Sequence, residues 1–241
     1  MSQGRTEAVV VRGVDFSETS RIVTFLSCDR GRLTCIAKGA RRAKRGSPAV
    51  FDTLNRVELV YYWKAGRAVQ ILGEAALMDE YGGIKSDLGK TTYAAFPLEL
   101  AYKVAHENEP SFELYGALVR GLESLATFQG DVTAHTCWHV LQLLAAAGFA
   151  PAVDLCAGCG KSVREARGFS YAGGVVCPVC PADTRLSANE HALLRALAGS
   201  PTACPEVGDA GVLFPLLGRY ASYQLETRFR SLYVIEEMFA S

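Results

Sequence analysis

Two Cys-x2-Cys pairs, Cys156-Ala-Gly-Cys159 and Cys177-Pro-Val-Cys180, stand 17 residues apart. A two-residue spacer lets both sulfurs of a knuckle reach one metal ion, and two knuckles complete a tetrahedron. Gly158 and Gly160 supply the tight backbone of the first knuckle. Phe169-Ser170-Tyr171 and Val175-Val176 flank Gly173-Gly174, which predicts a hairpin delivering the second pair. This is the pattern of a zinc ribbon, with one zinc on Cys156, Cys159, Cys177 and Cys180. Four unrelated buried cysteines are the bland alternative. An iron–sulfur cluster fits less well, because no third cysteine groups with either pair. The expected role is structural, since four thiolates close the shell that a catalytic zinc leaves open. Zinc deaminases pair Pro-Cys-x-x-Cys with His-x-Glu. Here the proline lies inside the second knuckle, and the sequence has no His-x-Glu.

Eight cysteines in 241 residues are too sparse for a disulfide scaffold. The other four are expected to be reduced thiols, which points to a cytoplasmic chain. MSQGRTEAVV lacks the apolar run of a signal peptide, and no apolar stretch approaches the roughly 20 residues of a membrane span. Formal charge is zero overall but unevenly spread. Residues 1–80 carry 13 Lys or Arg against 9 Asp or Glu, and residues 81–241 carry 12 against 16.

Residues 1–80 read as strands rich in Val, Ile, Thr and aromatics: 7–12, 21–28, 32–38, 53–63 and 68–76. Turns at Cys28-Asp-Arg-Gly31 and Lys64-Ala-Gly-Arg67 separate neighbours. Five short antiparallel strands suit an OB-fold, and an SH3-like barrel fits the count almost as well. Residues 39–49 contain two glycines and a proline, and predict a loop where an OB-fold often carries a helix. After Gly82-Gly83 the period becomes helical, over 88–106, 111–128 and 132–147. Ser111 is a candidate N-cap and Gly148 a candidate stop. Pro97 should kink or divide its helix. Ser187-Ala-Asn-Glu190 is a capping box, and a last helix is expected over 212–230 with Pro215 inside it. Residues 232–239 read equally as strand or helix. The expected architecture is α+β and multidomain. A small N-terminal β-barrel (OB-fold) over 1–80 precedes helical regions 81–153 and 184–241, with the zinc module inserted at 154–183.

The second chemical constellation is basic. Lys38, Arg41, Arg42, Lys44 and Arg45 fall within eight residues without an acid among them. On a loop between barrel strands such a run can track a phosphate backbone, and Arg21 and Arg32 on adjoining strands extend it. The bland alternatives are a solvated loop or a site for an acidic protein. Tyr61-Tyr62-Trp63 could offer stacking platforms, but alternation assigns at least one face to the core. His135 and His139, spaced i, i+4, lack a third ligand and read as core or solvated side chains. The sequence contains no Walker loop, dinucleotide fingerprint or nucleophile elbow, so no enzyme is expected.

Ser17-Glu-Thr-Ser-Arg-Ile-Val-Thr24, Gly31 and Ala37-Lys-Gly-Ala-Arg-Arg42 together resemble the N-terminal signature of the RecO family of bacterial recombination mediators. The similarity extends through the helical region and the four-cysteine module. It implies an OB-fold that binds single- and double-stranded DNA and anneals complementary strands. It further implies action with RecR to load RecA onto DNA coated by the single-stranded-DNA-binding protein SSB, with recognition of the acidic C-terminal SSB tail. Lys38, Arg41 and Arg42 occupy matching positions in the family's basic loop. Arg45-Gly46-Ser47 departs from the common Lys-Ser. The expected function is therefore a non-enzymatic mediator of DNA repair, cytoplasmic and nucleoid-associated. The alternative is a zinc-ribbon transcription or translation factor that binds nucleic acid through the ribbon. A zinc-dependent nucleotide enzyme is opposed by the closed thiolate shell.

Overall fold

The computed structural model describes residues 2–40 and 48–239. Five strands open the chain: β1 Ser2–Asp15, β2 Arg21–Ser27, β3 Gly31–Ala37, β4 Arg56–Trp63 and β5 Gln70–Asp79. They close into a barrel of order β1-β2-β3-β5-β4, completed by antiparallel pairing of β1 with β4. The β3–β5 contact is parallel and the other contacts are antiparallel. That Greek-key closure is the OB-fold. The reason is visible in β3, where Gly31, Leu33, Cys35 and Ala37 point inward and Arg32, Thr34 and Ile36 outward. Val10, Val23, Phe25, Leu59 and Tyr61 meet them in the interior, each large aliphatic contributing about 1.5–3 kcal/mol by leaving water. A turn of 3-10 helix at Pro48–Phe51 precedes β4. Asn55, 1% exposed, fastens it by donating to the carbonyls of Ala49 and Val50.

The helices are α1 Gly82–Lys85, α2 Leu88–Val104, α3 Phe112–Thr127, α4 Val132–Ala146, α5 Ala188–Ala198, α6 Leu213–Gln224 and α7 Arg230–Phe239. Their ends follow local chemistry. The Ser111 hydroxyl accepts from Leu114 N–H at the start of α3. Asp131 caps α4, which ends in a Schellman turn at Gly148 (φ 81°), with Phe149 N–H donating to the Leu144 carbonyl. Ser187 and Glu190 form both bonds of the capping box on α5.

One expectation is narrowed and one fails. Of the kink or division expected at Pro97, division does not occur, and α2 stays one helix. Phe96, Leu98 and Leu100 are buried there, and Phe96 meets Phe214 and Phe229 edge-on; this packing offsets the roughly 3 kcal/mol cost of an interior proline. The helix expected over 212–230 ends at Gln224, and Glu226 adopts a left-handed backbone. A new helix starts because Glu99 of α2 accepts from the N–H groups of Arg230 and Ser231 and from the Ser231 hydroxyl. Pro215 falls in the first turn of α6, where its missing N–H costs nothing. The apolar stretch 232–239 is helical.

The chain forms two compact units. The first comprises the barrel, residues 1–82, and residues 101–119. The second comprises 83–100 and 120–241. Within the first, residues 106–109 lie against Gly31, whose φ is +60° and whose missing Cβ would stand 2.2 Å from the Glu109 carbonyl oxygen and 2.6 Å from that of His106. Gly31→Ala is therefore expected to cost clearly more than the ~1–2 kcal/mol of a left-handed backbone alone. Urea denaturation of the full chain checks this; a loss below that figure would show that residues 106–109 move aside freely.

Candidate metal centre and nucleic-acid interface

The cysteine module is built on a short sheet of order β7-β6-β8, with β6 Gly168–Ser170, β7 Gly174–Val176 and β8 Thr184–Arg185. The predicted hairpin is β6–β7, in register Phe169 with Val175. Strand β8, which pairs with β6, carries too short a pattern to be read from sequence. Gly174 is required because a Cβ there would stand 2.3 Å from the Ala152 carbonyl oxygen.

The hairpin and the first knuckle bring the four sulfurs of Cys156, Cys159, Cys177 and Cys180 within 4.8 Å of one another. Cys159 Sγ and Cys177 Sγ are 3.9 Å apart. Four thiolates about 2.3 Å from a shared tetrahedral ion stand roughly 3.8 Å apart, so the cluster has the dimensions of a metal site. Its electrostatics agree. Cys177 N–H donates to Cys156 Sγ at 3.3 Å. With the N–H groups of Cys159 and Gly158, it pulls the Cys156 thiol down to about 6. Val179 and Cys180 N–H groups lower Cys177 likewise. Cys180 is pushed up to about 12 by Cys177 and Cys156 beside it. A cation in the middle would relieve that crowding of negative charge.

One supporting residue escaped the sequence reading. His191 of α5, 2% exposed, donates from Nε2 to the Val153 carbonyl at 2.7 Å and accepts Ala166 N–H on Nδ1 at 3.0 Å. Its single tautomer ties both flanks of the first knuckle to α5. Its place one turn after Ser187 was the available signal. Phe169, fully buried, meets Tyr220 of α6 at 5.5 Å, so the ribbon is part of the second unit's core. His135 and His139 of α4 are also core residues, 0% and 1% exposed, and His135 bonds the Ser124 hydroxyl through Nε2 at 3.0 Å. Gly121 makes room for His139, since a Cβ would lie 2.1 Å from its Nε2.

The basic residues fare differently from one another. Arg41, Arg42, Lys44 and Arg45 lie outside the described residues. Lys38 is exposed on the turn after β3, beside a cavity of about 670 Å³ lined by Phe51, Tyr62 and Leu72. Arg21 lies along Gly13 and 3.8 Å from Asp15. Arg32 is engaged by the chain itself. Its guanidinium sits 5.2 Å over the Tyr102 ring and 3.5 Å from Glu107. In β4, Tyr61 is 1% exposed in the core, Trp63 is half-buried and Tyr62 faces outward at 40%. No helix among the described residues is long and apolar enough to cross a membrane.

Comparison with known proteins adds a family. The family model Recombination protein O N terminal matches residues 1–81, and Recombination protein O C terminal matches residues 85–233. A protein of Streptomyces griseus named DNA repair protein RecO is 32% identical over 251 residues, covering 98% of this chain and 100% of its own length. A protein of the same name from Thermobifida fusca is 30% identical over 247 residues, covering 98% and 99%.

Proposed function

The chain belongs to the RecO family of DNA repair proteins, and from that membership we propose that it is a non-enzymatic recombination mediator. It binds single- and double-stranded DNA, anneals complementary strands, and with RecR loads RecA onto SSB-coated single strands while engaging the C-terminal tail of SSB. It works in the bacterial cytoplasm, at the nucleoid. The observation that carries this reading is the acid-free run Lys38, Arg41, Arg42, Lys44 and Arg45, which follows directly on β3 of an OB barrel. The barrel domain, residues 1–80, contacts phosphates without reading bases, with Arg21 and Arg32 bordering the surface. Holding two strands on one cationic surface lowers their repulsion and raises their effective concentration.

Within the helical regions 81–153 and 184–241, the module 154–183 holds one zinc on Cys156, Cys159, Cys177 and Cys180. Zinc bound there supplies a cross-link between the two knuckles. The surrounding N–H groups hold the thiolates ready, and Phe169 and His191 transmit the order of the module to α6 and α5.

The test of the DNA reading is the double variant Arg41→Ala with Arg42→Ala. Each lost phosphate contact lowers the slope of log affinity against log salt by roughly 0.7 on single strands and 0.9 on duplex. The pair should therefore lower it by about 1.4 and 1.8 for all sequences alike, and slow annealing in parallel. A purely structural loop would instead lower the melting temperature at unchanged slope. A site for the SSB tail would spare naked DNA and affect only SSB-coated strands. An unmoved slope sinks the assignment.

A further inference from the structure

Barrels of this class take up oligonucleotides on the outer face of their second and third strands and on the loops that join strands one to two and four to five. In this chain that face is partly occupied by its own residues. Arg32 N–H donates to the His106 carbonyl at 2.9 Å, and Gly31 and Arg32 bridge to Glu107. Thr24 and Leu26, whose neighbours Val23 and Phe25 fill the interior, face outward yet are only 8% and 1% exposed. DNA crossing the barrel is left chiefly with the loops at the strand ends.

One is assembled at the end of β3 that begins with Gly31. Arg30, in the β2–β3 turn, donates from Nε to the Tyr61 hydroxyl at 3.1 Å, and its guanidinium carbon lies 5.3 Å from the centre of the Trp63 ring. The adjacent Asp29 carboxylate is turned to the hydroxyls of Thr6 and Ser27. The β4–β5 loop is fastened beside it. Gln70, 2% exposed, accepts Lys64 N–H at 2.9 Å and donates to the carbonyls of Arg67 and Lys64. Gln70 pairs with Cys35, so the parallel approach to β5 runs alongside the earlier residues of β3, toward Arg30. The loop backbone is locked while Lys64 and Arg67 remain exposed.

We propose that Arg30, Lys64 and Arg67 form a phosphate-binding surface for single-stranded DNA at this mouth of the barrel, with the Arg30–Trp63 stack as a platform for a base. It rests on the DNA-binding reading above and adds a second contact. Lys38 leaves the opposite end of β3, whose seven residues span on the order of 20 Å. A single strand following the barrel from Lys38 to Arg30 would meet a cation at each end. Arg30 suits the task because stacking and the Tyr61 bond already hold its planar group. Little conformational freedom is then left to lose on gripping a phosphate, and bases stack on such surfaces without regard to sequence.

The experiment uses the full chain and a thymidine oligonucleotide, reading the salt slope of binding and tryptophan emission. The chain has two tryptophans. Trp138 is 1% exposed and bonded to the Ser200 carbonyl, so it stays silent while Trp63 reports. Saturating oligonucleotide should quench the wild-type emission, and Trp63→Phe should abolish the change. Lys64→Ala with Arg67→Ala touches only exposed side chains and should lower the slope by about 1.4 at unchanged melting temperature. Arg30→Gln should lower it by about 0.7 more and remove the quench. An unchanged slope in the Lys64, Arg67 variant, or an emission unmoved at saturation, overturns this surface while the Arg41, Arg42 result stands on its own. Absence of oligonucleotide binding by the wild type at low salt overturns both.

Discussion

Stripping the proposed zinc from the purified protein with a chelator is expected to disorder the module around residues 154–183 and to remove much of the stability of the unit that contains it. Structural zinc sites bind with apparent free energies of roughly 10–16 kcal/mol near neutral pH, and that binding is coupled to folding. In this chain the loss would spread, because Phe169, Val175 and Val176 are 0–1% exposed and Phe169 packs on Tyr220. Cys159→Ser should act the same way, lowering soluble yield and melting temperature. Cys204→Ser, which alters a cysteine outside the cluster, should leave the metal in place. Native mass spectrometry should find one zinc per wild-type chain. Metal-free protein with an unchanged melting curve would dispose of the assignment.

Acid should weaken the same unit through a different group. Burial, with Lys90 adding to it, pushes the His135 imidazole down to about 4, against about 6.5 in an unfolded chain. Below the unfolded value the unfolded state takes up a proton that the folded state refuses. Stability is thus full above about pH 6.5 and falls as pH drops towards 4, by about 1.4 kcal/mol per unit and on the order of 3 kcal/mol in all. His135→Gln retains a hydrogen-bonding group near Ser124 without a proton to bind. It should be less stable than wild type at pH 7 yet lose less on acidification. Urea denaturation of both proteins from pH 7 to 4.5 measures the difference, which removes the contributions that carboxylates and the metal site make to both. Parallel curves would mean that His135 is protonated in the folded protein.

Much of the site was legible because its chemistry is local. A Cys-x2-Cys spacer orients two sulfurs by its own backbone, and the N–H groups that hold Cys156 and Cys177 come chiefly from their own knuckles and from each other. The capping box at Ser187 and the stop at Gly148 are likewise settled within one helical turn. Arg30 went unread because a turn residue carries no periodic signal, and Gln70 because a polar residue at a strand edge ordinarily faces water. Arg32 shows the opposite effect. Its outward position on β3 could be read from the sequence, but its contacts with Tyr102 and Glu107, some 70 residues on, could not.

The sequence by itself determined the cysteine cluster, the barrel followed by helices, and the charge run after β3, since each follows from spacing and alternation within a few residues. Tertiary structure alone decided where α7 begins, because Glu99 caps it from 131 residues away. It alone decided that α2 survives Pro97, and that residues 101–119 belong with the barrel rather than with the rest of the helices. It also decided which cations are held by the chain and which face outward. A partner distant in sequence leaves no mark on local pattern, and yet a single well-placed carboxylate or aromatic ring can outweigh the propensity of an entire turn.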